Sequence, residues 1–203
     1  MSTNQAKKSE AKRLHILDTS FTLVLHKGFV GVGLQEILKN CGIPKGSFYH
    51  YFESKEAFGC ELLQHYINDY QQRLNLLWAN NDTAKAKILS YFQKWIEDPE
   101  QQESWADRCL IVKLAAEVAD LSEDMRLIMD QGTKNLIQRI ADLIHQGMED
   151  HSIQTQTNPA AVAQVIYQMW LGAALLSKLH KDKTPLHQAY HATAFMLSGC
   201  QSS

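Results

Sequence analysis

Apolar residues recur along this chain at helical spacing almost from end to end. Leu14, Leu17, Phe21, Val24 and Leu25 mark one face of an amphipathic helix over roughly 9–27. Gly28-Phe29 closes it, a glycine past the last turn followed by an apolar residue, as in a Schellman end. Leu34, Ile37 and Leu38 predict a short second helix with Gly33 as a permissive N-cap. After the turn Cys41-Gly42-Ile43, Pro44 suits the opening of a third helix that runs through about Tyr51. Ser54 can cap a fourth, ending near Trp78. Further helices are predicted over 83–97, 104–118, 122–149, 158–180 and 185–198. Asp98-Pro99, Ser122, Asn158-Pro159 and Thr184-Pro185 punctuate them, each pairing a cap type with a helix-start or breaker residue. The fold class is therefore all-α, with about nine helices and disorder expected only at residues 1–8 and in the last few.

Composition narrows the picture. The 203 residues are 45% hydrophobic and 21% charged, as in an ordinary globular chain, and ten Gly with four Pro are too few for a turn-rich β protein. No stretch reaches 18 apolar residues and Met1–Lys12 is polar, so neither a membrane span nor a secretory leader is expected. Cys41, Cys60, Cys109 and Cys200 form no metal-ligand spacing and suit thiols in a reducing cytoplasm. The net charge of −2 divides unevenly, +4 over residues 1–52 and −6 beyond. A basic head on an acidic body points to a polyanion held at one end.

The segment that carries most information is Gly33–Lys55, GLQEILKNCGIPKGSFYHYFESK. Two short helices joined by a tight glycine turn cannot bury both apolar faces alone, so the first helix must cover them. That is helix-turn-helix logic, with the second helix offered to the DNA major groove. Phe48 and Phe52, at i and i+4, can face inward. Lys45, Ser47, Tyr49 and His50 are left pointing largely outward, Lys45 and Lys55 flank the helix with charge, and Gly46 adds no bulk. Here the chain resembles the tetracycline-repressor (TetR) family of transcription factors, whose recognition helix IPKGSFYHYFESKEAF is similar to in order and spacing. The resemblance implies a three-helix DNA-binding domain over 9–55 and a helical effector-binding and dimerisation domain over 56–200. Its partners would be a double-stranded operator, a small effector and a second copy of the chain. One departure is Gly33, where many members carry Thr or Ser for a phosphate. Only backbone N–H groups can serve there.

In the second half, 158–180 is apolar nearly all round and must be buried on several sides, while its alanines and Gly172 permit close helix approach. Cys109 opens the run CLIVKLAAEV, where a helix N-terminus and the adjacent Arg108 favour a thiolate. The longer run CLIVKLAAEVADLSEDMR, with MWLGAALLSK further on, resembles the electrophile-sensing repressors that answer N-ethylmaleimide. The likeness implies a sensor role for Cys109, with Lys178 near it, and release of DNA by an electrophile or oxidant. The competing readings are a small buried hydrophobe for Cys109, a stem with its amine in water for Lys178, and a reversible apolar effector. Tyr91, Trp105, Tyr167, Met169 and Trp170 are candidate pocket walls, although aromatic residues at helical spacing also make cores. An enzyme using Cys109 as nucleophile lacks an ordering His–Asp pair, so no catalytic residue is assigned. His187 and His191 share a helix face without a third ligand, so no metal or cofactor is expected either. The acidic residues Glu117, Asp120, Glu123 and Asp124 read as a helix end and a cap.

Overall fold

A computed structural model describes residues 2–155 and 157–199; Cys200 lies outside them. Among the described residues there are nine helices and no strand. They are α1 (Ser2–Lys27), α2 (Leu34–Cys41), α3 (Lys45–Tyr51), α4 (Lys55–Leu77), α5 (Ala84–Ile96), α6 (Leu110–Leu121), α7 (Glu123–Glu149), α8 (Pro159–His180) and α9 (Thr184–Ser198). Two compact units emerge, one holding the residues up to Asp69 with Lys113–Asp130, the other Tyr70–Val112 with those from Gln131 onward. Helices α4, α6 and α7 each contribute residues to both.

The first unit is a helix-turn-helix head. Helix α1 starts at Ser2, not near residue 9 as the apolar pattern suggested. Its first turns are rich in Lys, Ala, Gln and Glu, which favour helix without needing a buried partner. It ends at Gly28, whose φ of 79° admits the left-handed conformation, with the Gly28 amide donating to the Val24 carbonyl. Gly42 closes α2 in the same conformation with a full Schellman pattern, its own amide reaching Lys39 and that of Ile43 reaching Leu38. Phe48, Phe52 and Phe58 form a buried triad with ring centroids 5.1–5.5 Å apart, fastening α3 to the start of α4. Ser54 caps α4 through the Ala57 amide, as expected. Phe21 stacks on Tyr66 at 5.9 Å, and His65 meets Asp18 at 2.8 Å, so α1 lies along the first half of α4.

In the second unit α5 and α8 pack against α9. Its core is aromatic, and Trp78, Trp95, Trp105 and Trp170, the chain's four tryptophans, all belong to it. Asn158 caps α8 at the Ala160 amide with Pro159 in the first turn. Helix α9 begins one residue earlier than its proline suggested, because the Asp182 carboxylate accepts from both the amide and the hydroxyl of Thr184. Helix α8 is long and apolar enough to cross a membrane by length and composition. Its apolar side chains instead divide between a buried face, with Val162, Ile166, Tyr167 and Trp170, and an exposed one, with Val165, Leu175, Leu176 and Leu179. Gly172 meets nothing of the chain itself within 4 Å of where a Cβ would stand, so the close approach expected there does not occur within one copy.

Candidate nucleic-acid interface and cysteine site

Helix α3 sorts its residues as an amphipathic helix must. Phe48 is fully buried and Ser47 half-buried, while Lys45, Gly46, Tyr49 and His50 are exposed. The Lys45 ammonium lies 5.9 Å from the centre of the Tyr49 ring, so charge and aromatic surface form one patch, and His50 meets Tyr51 edge-on at 5.0 Å. Neither Gly33 nor Gly46 approaches any other part of the chain, and Gly33 has an ordinary extended φ of −78°. The room they leave faces outward. Lys55 is different: its ammonium donates to the Phe29 carbonyl at 2.9 Å and lies 4.7 Å from that ring's centre. Burial pushes its pKa down, against the pull of the nearby Glu117 carboxylate. Lys55 is thus engaged within the head and does not stand free beside α3.

Cys109 stands immediately before α6, which begins at Leu110 and not, as the pattern suggested, at 104. Residues 104–107 form a separate turn closed by a reciprocal pair: Ser104 Oγ accepts from the Asp107 amide, and the Asp107 carboxylate accepts from the Ser104 amide and hydroxyl. This cap imitates a helix start but holds a single turn. Cys109 is 2% exposed. Tyr70, Tyr91 and Tyr167, all buried, lie within electrostatic reach of it. Burial raises each phenol's pKa, and negative charge on Cys109 would raise it further. Tyr70 and Tyr91 share a hydrogen bond at 2.7 Å, and the Trp95 indole donates to the Tyr70 oxygen at 3.1 Å. Trp105 meets Tyr70 at 5.3 Å and Tyr91 at 6.0 Å, and the Arg73 guanidinium lies 4.9 Å from its ring. The result is an apolar wall carrying phenol hydroxyls and one cation beside a thiol.

Of the other residues expected here, Lys178 is exposed and donates weakly, at 3.4 Å, to the main-chain carbonyl of Asp107, two residues before Cys109. Trp170 departs from its expected role as a pocket wall. It stacks on Phe92 at 4.4 Å and donates to Thr193 at 2.9 Å, which makes it a pillar between α5, α8 and α9. Met169 is half-buried beside it. Tyr70, Trp95, Arg73 and Asp98 carry no direct sign in the sequence. The first three were hidden in helical stripes, and Asp98 passed for punctuation.

Asp98 pins the segment that leads to Cys109. It accepts from Lys94 at 2.7 Å and from the Trp105 indole at 2.9 Å. Burial pushes its pKa up, but hydrogen bonds from Lys94, Trp105 and the Glu100 amide outweigh it and hold the acid below the usual aspartate range. An acid lowered by folding stabilises above its unfolded value, ~3.9, and loses that contribution as pH falls through it toward the lowered one. Asp98→Asn is expected to cost about 1–3 kcal/mol at neutral pH and to flatten the loss of stability below about pH 4. Urea unfolding at neutral and acid pH checks both, and an unchanged acid limb would assign that loss elsewhere.

Residues 16–58 match the family described as bacterial regulatory proteins, tetR family, and residues 84–193 match the tetracyclin repressor-like C-terminal domain. The HTH-type transcriptional repressor NemR of Escherichia coli strain K12 is 43% identical over 178 residues, 87% of this chain and 89% of that one. A crystal structure of E. coli NemR in its reduced form superposes with a TM-score of 0.82 at 41% identity, covering 90% of this chain and 95% of the other. That of a putative TetR/AcrR-family transcriptional regulator does so with a TM-score of 0.85 at 64% identity, covering 93% and 100%.

Proposed function

The chain belongs to the TetR family of bacterial transcriptional regulators, and from that membership we propose a homodimeric repressor that leaves a palindromic operator when an electrophile or oxidant reacts at Cys109. It is a DNA-binding transcriptional repressor and not an enzyme. In the proposed division of labour, residues 9–55 read the operator and 56–200 hold the effector site and the dimer interface, in the cytoplasm. Lys45, Ser47, Tyr49 and His50 contact DNA through side chains, and Gly33 and Gly46 through backbone. A twofold dimer presents two copies of α3 to half-sites one helical turn or a multiple apart. The observation that carries the sensing role is the setting of Cys109: buried at the head of a helix, within electrostatic reach of the buried phenols Tyr70, Tyr91 and Tyr167, with the Lys178 ammonium on the adjoining backbone. A relative whose structure is described as its reduced form supports a redox-active site.

With N-ethylmaleimide the step is an addition. The thiol proton goes to solvent, sulfur bonds to one carbon of the ring's double bond, and the neighbouring carbon takes a proton. No oxidant is consumed. The adduct adds bulk inside a close-packed aromatic wall, which answers by shifting between discrete arrangements. Cys109→Ser keeps the shape and removes the nucleophile. In a mobility-shift assay the parent should release operator as maleimide or quinone rises, and the Ser variant should hold it at concentrations at least about 10-fold higher. Equal release by both would overturn the thiol switch and favour a reversible apolar effector held by the same aromatic wall.

A further inference from the structure

Three charged side chains close on the backbone where α1 ends. Lys113 donates to the His26 carbonyl at 3.0 Å, Lys55 donates to the Phe29 carbonyl at 2.9 Å, and the Glu117 carboxylate accepts from the Val30 amide. Between them Gly28 takes its positive φ, and a Cβ there would stand 2.7 Å from a Glu117 oxygen. The chain therefore needs glycine at 28 for the carboxylate as well as for the turn. Lys113 and Glu117 are four residues apart on α6 and so share a face. Their charges match the backbone they meet. The last turn of a helix presents unpaired carbonyls and a partial negative charge, which a lysine suits, and the amide beyond it suits a carboxylate. Glu117, which the sequence suggested was only part of a helix end, reaches 87 residues back along the chain.

These contacts grip main chain, not side chains, at the hinge between α1 and the two helices that follow it. We propose that Lys113 and Glu117 are positioning residues for operator binding: they fix the α1–α2 turn, and with it α2 and α3, against α6, and so set the half-site spacing that the dimer accepts. The inference rests on the homodimer reading above. Without the grip, α1 keeps its own Gly28–Val24 closure and the phenylalanine triad keeps α3 in place. The head would stay folded and basic but would be held less firmly. It should still bind DNA while tolerating half-sites at the wrong separation.

The test uses the full chain and a duplex selected by it from random sequence, with one base pair inserted at the centre in a second version. An insertion moves one half-site by about 3.4 Å and turns it by about a tenth of a turn. The parent should discriminate strongly between the two duplexes. Lys113→Met/Glu117→Leu, which removes both the donor and the acceptor, should reduce that discrimination at least about 10-fold with an unchanged salt slope, since the proposal gives neither residue a phosphate contact. Lys113→Arg, which can still donate to the carbonyl, should retain the parent's ratio. Glu117→Leu alone supplies the same reading if the double variant does not fold. A double variant with the parent's ratio, whatever its melting temperature, would overturn the proposal and leave the pair a purely structural role. A dimeric parent indifferent to the insertion would overturn it too. A parent that sediments as a monomer on and off DNA would instead remove the dimer reading beneath it.

Discussion

Replacing Leu175 and Leu179 together by Asp is expected to lower operator affinity by more than about 100-fold, because two recognition helices would no longer be delivered as one unit. Val165, Leu175, Leu176 and Leu179 line the exposed side of α8, with Leu179 69% exposed, and Phe195 of α9 is 65% exposed. Large apolar side chains clustered on one face of a soluble chain mark a surface that another protein covers. Gly172 lies among them with open space above it, which allows a second helix to come close. Carboxylates there would be buried unpaired in a dimer but solvated in a monomer. The variant should therefore stay folded as a monomer, melting below the parent only by the stabilisation that association lends the dimer. Sedimentation and mobility shift together decide the matter. A variant that stays dimeric and binds normally would move the interface off this face.

The second large effect is inside the head. Phe48→Ala is expected to cost about 3–5 kcal/mol, since deleting a buried aromatic ring leaves a cavity as well as lost contacts. Phe48 has no exposed surface, and its ring meets Phe52 at 5.1 Å and Phe58 at 5.5 Å. A seven-residue helix is too short to persist without such contacts, so α3 depends on this triad. Against a typical total of about 5–15 kcal/mol the loss is large. Amide hydrogen exchange should show α2 and α3 opening, and DNA binding should fail at 37 °C. Protection of those amides equal to the parent's would show that the triad is not what holds the helix.

The reading head was legible in sequence because its signals are local. A glycine turn, Phe48 and Phe52 at i and i+4, and outward polar residues between them all lie within one short segment. Helix starts were less legible where a side chain imitates one. Ser104 and Asp107 have the spacing of a capping box, yet the turn they close stops before Cys109, and α6 begins afresh at Leu110. Periodicity also fell silent over the first turns of α1, where no face needs to be apolar. Residues that act at long range were least visible. Tyr70 and Arg73 looked like ordinary positions of α4, and Glu117 has a backbone amide as its partner, which no side-chain pattern records. Trp170 erred the other way, an aromatic residue in an apolar helix that proved to be core.

The placement of the tryptophans has a practical side. All four lie in the unit that carries Cys109, and none in the head that meets DNA. Intrinsic emission excited at the red edge of indole absorption is therefore a channel for one half of the molecule, blind to melting of α1–α3. Trp105, four residues from Cys109 and held beside Tyr70 and the Arg73 guanidinium, is the emitter best sited to register chemistry at the thiol. The protein thus carries its own label for the event in its interior, while operator occupancy has to be followed from the DNA.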